Sequence, residues 1–449
     1  MEQTKKTITN FFNNDYADYG SYDNYRKVAN YIDGLKPSAR KILYTIITKN
    51  IREQKKVSQL VAITSELTAY LHGEVSLIGV VVGLAQNFVG SNNIPLLTRE
   101  GNFGSRLIPA ASAARYIFTC KEKYLDSLFH TDDSNILISQ EFEGDIIEPQ
   151  FYVPIIPLLL VNGSVGISTG FAQKILPRNY EELIDYILHK LDNKKQYKIE
   201  EKLLPFYKGF KGSIKKIDDS SFEIWGKLDR VDQTTIKITE LPVGYDRNYY
   251  ASILDKLEDE KIINSYTDLS TGEIFEFQIK ASREFIKQSD YELYDNLKLI
   301  DRITENYTCN DENMKIRQFG SVIEILDEYI KIRLEYYDKR KSYLLNQLKN
   351  NLTLLYSKYI FIKNVVEEKI VIHNKPTEQI EKKLETFNEI KKIDNNYDYL
   401  LRLPINSLTK EKYIKLKEEI QEIGNKIKEL SNKSKEDLWR EDLKKLPQF

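Results

Sequence analysis

Two cysteines, two methionines, two tryptophans and four histidines are all that the 449 residues hold of those types. Cys120 and Cys309 cannot build a disulfide framework, so the chain suits a reducing compartment, and a cytoplasmic location is the expectation. Long apolar runs are also missing. The most hydrophobic stretch, FYVPIIPLLLV from Phe151, is eleven residues with two prolines. That is too short to cross a bilayer and suits a buried strand and its approach, so no membrane partner is expected. Residues 1–10 are polar and carry no secretory leader. Net charge is nearly absent, −1 from 66 basic and 67 acidic residues, which excludes a polycation that simply coats nucleic acid. No repeat and no low-complexity tract appears.

What is present is the composition of a folded protein, 41% hydrophobic and 30% charged, with a length that suggests two to four domains. Charge is unevenly placed. Residues 1–60 carry eleven Lys/Arg against six Asp/Glu, and residues 121–150 carry two against eight. A local basic surface is what phosphate contacts need. After a polar arm, 15–30 reads as a helix. Pro37 is placed to open a second, running to about Lys49, with Ile42, Leu43, Ile46 and Ile47 on its apolar side. Further helices are predicted over 58–70 and 75–88, and three short helices with tight connections resemble a helix-turn-helix module. A short strand is expected at 96–98, then a glycine-containing loop, strand-like or loop-like segments over 146–160 and 164–172, and a helix over 180–191. From 212 to 279 the pattern alternates with period two, the signature of sheet, with one helix at 249–260. Beyond Gly320, Val322, Ile325, Tyr329, Ile332, Tyr336 and Tyr343 form a helical stripe. Tyr413, Leu416, Ile420, Ile423, Ile427 and Leu430 form another behind a cap at Thr409, so the two predict an antiparallel two-helix arm.

The strings DGLKPSARKIL from Asp33, YLHGE from Tyr70, FVGSNNIPLL from Phe88, and GNFGSR from Gly101 followed by AARYIFT stand in one order. EPQFYVPIIPLLLVNGSVGISTG from Glu148, FYKGFKGSI from Phe206, ITELPVG from Ile238, YDYLLRLPINSLTKEK from Tyr397 and LWREDL from Leu438 continue it. In this order and spacing they resemble the breakage–reunion (A-type) subunit of type IIA DNA topoisomerases over most of the chain. The absence of nucleotide-binding, acidic metal-binding and C-terminal DNA-wrapping segments makes the chain most similar to the medium subunit of the multi-subunit topoisomerases of T4-like phages. The A-type subunit of a bacterial topoisomerase IV or gyrase is the alternative within the family. The resemblance implies a multidomain α+β fold. Its parts are an arm and lead-in helix (1–30), a winged-helix DNA-gate domain with the nucleophile (31–170) and a mixed α/β tower (171–320). A coiled-coil arm (321–358), a helical dimerisation knot (359–405) and a returning arm with tail (406–449) complete it.

The chemistry implied is a reversible break in DNA. A tyrosine phenol can attack phosphorus, hold one DNA end as an ester and leave again when the sugar hydroxyl returns. A free phenol titrates near pH ~10, so it needs help, and the transition state needs positive charge. By resemblance Tyr116 is the nucleophile and Arg115, whose guanidinium fork suits phosphate, is its companion. His72 matches the family's supporting histidine, although Leu71 replaces the histidine before it. Arg40 matches an active-site position, Lys36, Lys41, Arg106 and Asn162 match DNA-contacting positions, and Ile167 matches a wedge that unstacks a base step. No metal-ligand cluster stands out, and Asp132-Asp133 reads as a surface turn. The resemblance places Mg2+ and ATP on a separate large ATPase and metal-binding subunit. Double-stranded DNA and a second copy of this chain are the other expected partners. The reading from a different class is a non-catalytic helix-turn-helix DNA-binding or architectural protein. A tyrosine recombinase lacks its dispersed arginine–histidine constellation here.

Overall fold

The computed structural model describes residues 7–192, 202–393 and 395–449. It divides into two units, residues 1–333 with 442–449, and residues 334–441.

In the first unit, helix α1 (Ala17–Lys27) leads into three helices, α2 (Pro37–Thr48), α3 (Val57–Leu67) and α4 (Glu74–Ala85). Pro37 at the first helical position supplies a fixed φ where no N–H is needed. Ile42 and Ile46 of α2, Leu60 and Val61 of α3, and Leu77 and Val81 of α4 are completely buried at helical spacing. Each contributes about 1.5–3 kcal/mol by leaving water. A two-residue antiparallel pair, β1 (Lys55–Lys56) with β2 (Phe118–Thr119), ties the start of α3 to the segment after Tyr116. A hairpin, β3 (Ser164–Ile167) with β4 (Ala172–Ile175), stands on α1. There Asp23 accepts from Thr169 N and Oγ1, both at 2.9 Å. Gly166 packs on the Lys27 carbonyl so tightly that a Cβ would collide with it.

The period-two region forms two antiparallel sheets. One is four-stranded, ordered Ser265–Asp268, Phe277–Lys280, Thr235–Glu240 and Lys227–Arg230. The other is three-stranded, ordered Ile300–Thr304, Ser221–Trp225 and Ser213–Lys216. Tyr250, Leu254 and Leu257 of the helix Arg247–Asp259 share a core with Ile236, Ile238, Phe277 and Ile279. Leu107, from the glycine loop before Tyr116, enters the same core and fixes that loop to the sheet.

A helix of 45 residues, Val322–Val366, runs from the first unit into the second. Within the second unit Lys341 Nζ donates to the carbonyls of Ser431 and Lys433. Farther along, Phe361 shares a core with Ile370, Leu384, Leu400 and Leu416. The helix Lys410–Asn432 therefore returns antiparallel, with Thr409 Oγ1 accepting from Lys412 N at its start as expected.

Several local expectations change. The first helical segment begins earlier, at Ile8, and passes through a π-helical stretch, Phe11–Tyr16. Residues 96–98 form no strand, only an isolated bridge from Leu97 to Lys121. Asp133 is not on a surface turn. It is buried and paired with Arg333 at 3.0 Å.

Candidate active site

Tyr116 lies in a turn closed by its own N–H on the Ala113 carbonyl, one residue before β2's approach. The N–H groups of Val57 and Ser58, the first in α3, donate to the carbonyls of Ile117 and Ala114. The turn is thus seated on a helix N-terminus, where backbone N–H groups and the helix dipole favour an anion. Gly101, at φ +95°, lets the preceding loop pass against Ile117 and the Tyr116 carbonyl. Gly104, at φ +86°, lies where any Cβ would strike the Pro109 carbonyl oxygen. Gln86 Nε2 then ties Phe103 O and Pro109 O together at 2.8 and 3.1 Å. From this stiff base the Tyr116 side chain projects 65% exposed, an unusual position for so large a ring. The Arg115 guanidinium stands 5.0 Å from the ring centroid and is itself exposed.

His72 follows the other end of α3. Its Nε2 is 2.9 Å from the Tyr22 hydroxyl of α1, and Tyr70 packs edge-on at 5.5 Å. Partial burial and the nearby cations Arg26 and Lys41 hold the imidazole below its ordinary value. Neutral imidazole is therefore the favoured form at neutral pH. Tyr22 and Arg26 carry no motif, and nothing in the sequence separates Tyr22 from the other 29 tyrosines.

Ile167 ends β3 with 77% of its surface exposed, and Val165, on the same face by strand periodicity, is exposed beside it. An apolar ridge on a braced hairpin is the form that a base-step wedge requires.

The motif cations are placed differently. Arg40 is wholly buried, its Nε and Nη2 on Asp33 at 2.8 and 3.2 Å and Nη2 also on Leu35 O at 3.1 Å. Its guanidinium is in the core because Asp33 needs a buried counter-charge, and it does not line the open face with Tyr116. Lys41 bridges Thr68 O and Glu148 at 2.7 and 2.9 Å. Arg106 is buried too, holding Glu240, Leu241 O and Pro242 O at 3.4, 2.9 and 3.0 Å. Asn162 makes a two-way bond with the Ile94 backbone, 2.8 Å each way. Lys36 donates to Val165 O at 2.7 Å, and burial lowers its ammonium from the ordinary value. It lines a groove of about 590 Å³ with Arg26, Ser76, Asn92 and Asn162. No group of three or more His, Cys, Asp or Glu side chains among the described residues could hold a metal ion.

A helical gate module that presents a tyrosine beside an arginine, joined to a mixed tower and a helical arm, has known counterparts. The family model described as the A-type subunit of DNA gyrase/topoisomerase IV matches residues 26–444. The mitochondrial DNA topoisomerase 2 of Dictyostelium discoideum is 36% identical over 456 residues, covering 99% of this chain and 35% of that protein. DNA topoisomerase 2 of Saccharomyces cerevisiae is 33% identical over 496 residues, covering 97% and 34%. The crystal structure of the Plasmodium falciparum topoisomerase II DNA-binding, cleavage and re-ligation domain matches with a TM-score of 0.85 at 35% identity. That match covers 97% of this chain and 63% of the other. The chain therefore belongs to the family of DNA gyrase and topoisomerase IV A-type chains, the breakage–reunion part of type IIA topoisomerases. It spans about a third of the length of these curated relatives.

Proposed function

We propose that the chain is the DNA-cleaving and rejoining subunit of an ATP-dependent type II DNA topoisomerase. The observation that carries this is Tyr116, exposed on a braced turn at a helix N-terminus with Arg115 against its ring. The phenolic oxygen attacks a backbone phosphorus as its proton passes to solvent. The phosphorus–phenol bond forms, the bond to the sugar 3′ oxygen breaks, and that oxygen takes a proton from solvent and leaves as a hydroxyl. The 5′ end stays on Tyr116 while a second duplex passes, and the reverse attack reseals the strand. Arg115 stabilises the charge that develops on the phosphoryl oxygens. His72, as neutral imidazole, supports the phosphate, and Ile167 bends the duplex.

Two strands need two tyrosines, so the working unit is a dimer of this chain, with the helical knot over 359–405 as its contact. A separate large subunit supplies Mg2+ and hydrolyses ATP, the arrangement of the T4-like phage enzymes; what supports this is that no cluster of three or more acidic, histidine or cysteine side chains occurs among the described residues. The buried free thiols support a cytoplasmic site of action, the host's if the chain is phage-encoded. Decatenation by the chain with its ATPase partner, wild type against Tyr116→Phe, tests the reading. Loss of activity and of the denaturation-resistant protein–DNA link is expected, and a variant that still decatenates overturns it.

A further inference from the structure

His72 is the only histidine the proposed mechanism uses, and which of its nitrogens carries the proton decides what it offers a phosphate. A neutral imidazole has one N–H and one acceptor, and the partner of one nitrogen fixes the state of the other. We propose that Tyr22 is the positioning residue of His72: its hydroxyl donates to Nε2, so that the imidazole presents Nδ1–H to the DNA backbone. This rests on the reading of the site given above.

The geometry is specific. The hydroxyl and Nε2 are 2.9 Å apart, and this is the one hydrogen bond His72 makes among the described residues. The two rings lie 6.4 Å apart and tilted by 36°, while Tyr70 closes the other side edge-on. A phenol is a better donor than acceptor towards a neutral imidazole, so the proton of the pair stays on Tyr22. Partial burial disfavours the charged imidazole first, and two neighbouring cations add to it. Arg26 approaches from α1 and Lys41 from α2, and both disfavour a second proton on the ring. The opposing carboxylate, Glu148 of the strand Asp145–Pro149, is engaged by Lys41 at 2.9 Å. No carboxylate hydrogen-bonds the ring among the described residues.

Tyr22 is half-exposed, and its backbone is nonetheless held. The next residue, Asp23, is buried, accepts from Thr169 at the hairpin tip and pairs with Lys27 at 2.9 Å. One short helix therefore aims His72 through Tyr22 and braces the Ile167 hairpin through Asp23.

The test is made on the full chain, labelled with 15N at histidine, with the His72 signal assigned by its loss in His72→Gln. In the wild type the expected signature is a protonated Nδ1 and an unprotonated Nε2. In Tyr22→Phe, which keeps the ring and loses only the hydroxyl, the proton moves to Nε2 or exchanges between both, and the titration midpoint rises. A wild-type Nε2–H, or identical tautomer and midpoint in the two chains, overturns the assignment. With Mg2+ and the ATPase partner, Tyr22→Phe is expected to cleave a 30-base-pair duplex about tenfold more slowly at unchanged duplex affinity. Cleavage at the wild-type rate removes the positioning role. A wild-type chain that forms no Tyr116–DNA link refutes the reading of the site itself, a failure the tautomer spectrum, which needs no cleavage, keeps distinct.

Discussion

Replacing Arg40 with methionine separates two meanings of one motif. Its place in DGLKPSAR implies a role at the scissile phosphate, whereas the structure encloses it with Asp33, both side chains fully shielded from solvent. Asp33 takes four hydrogen bonds, two from Arg40 and one each from the N–H groups of Leu35 and Tyr152. Breaking a buried pair by removing one partner costs ~3–5 kcal/mol, because the other charge stays buried without its counter-charge. Asp33 would keep two of its four donors, which places Arg40→Met near the lower end, about 3 kcal/mol. At roughly 2 °C per kcal/mol for a large domain, melting should fall by about 6 °C. Asp33→Ala should cost a similar amount, and the double variant less than the sum, since each single change leaves the same pair broken. Thermal melts followed by far-UV circular dichroism at fixed protein concentration give these values, and gel retardation at fixed salt gives DNA affinity. If Arg40→Met melts within a degree of the wild type yet loses cleavage, Arg40 acts on DNA and the structural argument is wrong.

Other outcomes follow from the same geometry. Ile167→Ala should leave melting unchanged within ~0.5 kcal/mol, since the side chain is in solvent, and should reduce the bend of a bound duplex read by energy transfer between its ends. Arg106→Ala should destabilise the protein by about 3 kcal/mol by stranding Glu240 and two carbonyls, with little change in the salt slope of DNA binding. The folded-state value of His72 is lowered, so its contribution to stability is complete above its ordinary value of 6.5 and is lost as pH falls through the lowered one. The acid limb of DNA cleavage should accordingly lie below pH 6.5 and disappear in His72→Gln.

Helices were readable where local chemistry marks their ends. Pro37 opens α2, Asn179 caps Tyr180–Leu191, and Thr409 caps the returning arm. The alternating segments became strands because each has a face on a core, those from 227 to 280 on the Tyr250–Phe277 core and Ser221–Trp225 on a second one with Tyr207 and Ile303. What escaped was decided by partners distant in sequence. Asp133 looked like a surface acid because Arg333, its counter-ion, lies on the long helix. Residues 96–98 have the composition of a strand, but Thr98 turns its hydroxyl back to donate to, and accept from, the Cys120 backbone, and the pairing is reduced to isolated bridges at Leu97–Lys121 and Glu100–Phe118. For the site, the motif identified the exposed tyrosine beside its arginine. It could not show that Tyr22 meets His72, a contact between residues separated by the whole of α2 and α3.

The fate of the motif cations changes how the DNA surface should be pictured. Arg40, Lys41 and Arg106 are bonded inside the protein, and Lys36 is partly spent on the β3 backbone. Positive charge fixed in this way builds the module by holding Asp33, Glu148 and Glu240 in place, and it cannot release counterions from a duplex. Contact with phosphate then falls to the exposed Arg115, the free donors of Lys36 and the half-buried Arg26. A duplex held by these cations alone gives a shallow salt dependence, of the order of one unit of log–log slope per phosphate neutralised. Binding would then depend on shape, through the Ile167 ridge, more than on charge. Measuring that slope for the wild type and for Arg115→Ala decides the matter, because a steep slope that Arg115→Ala leaves untouched would place the duplex on some other face.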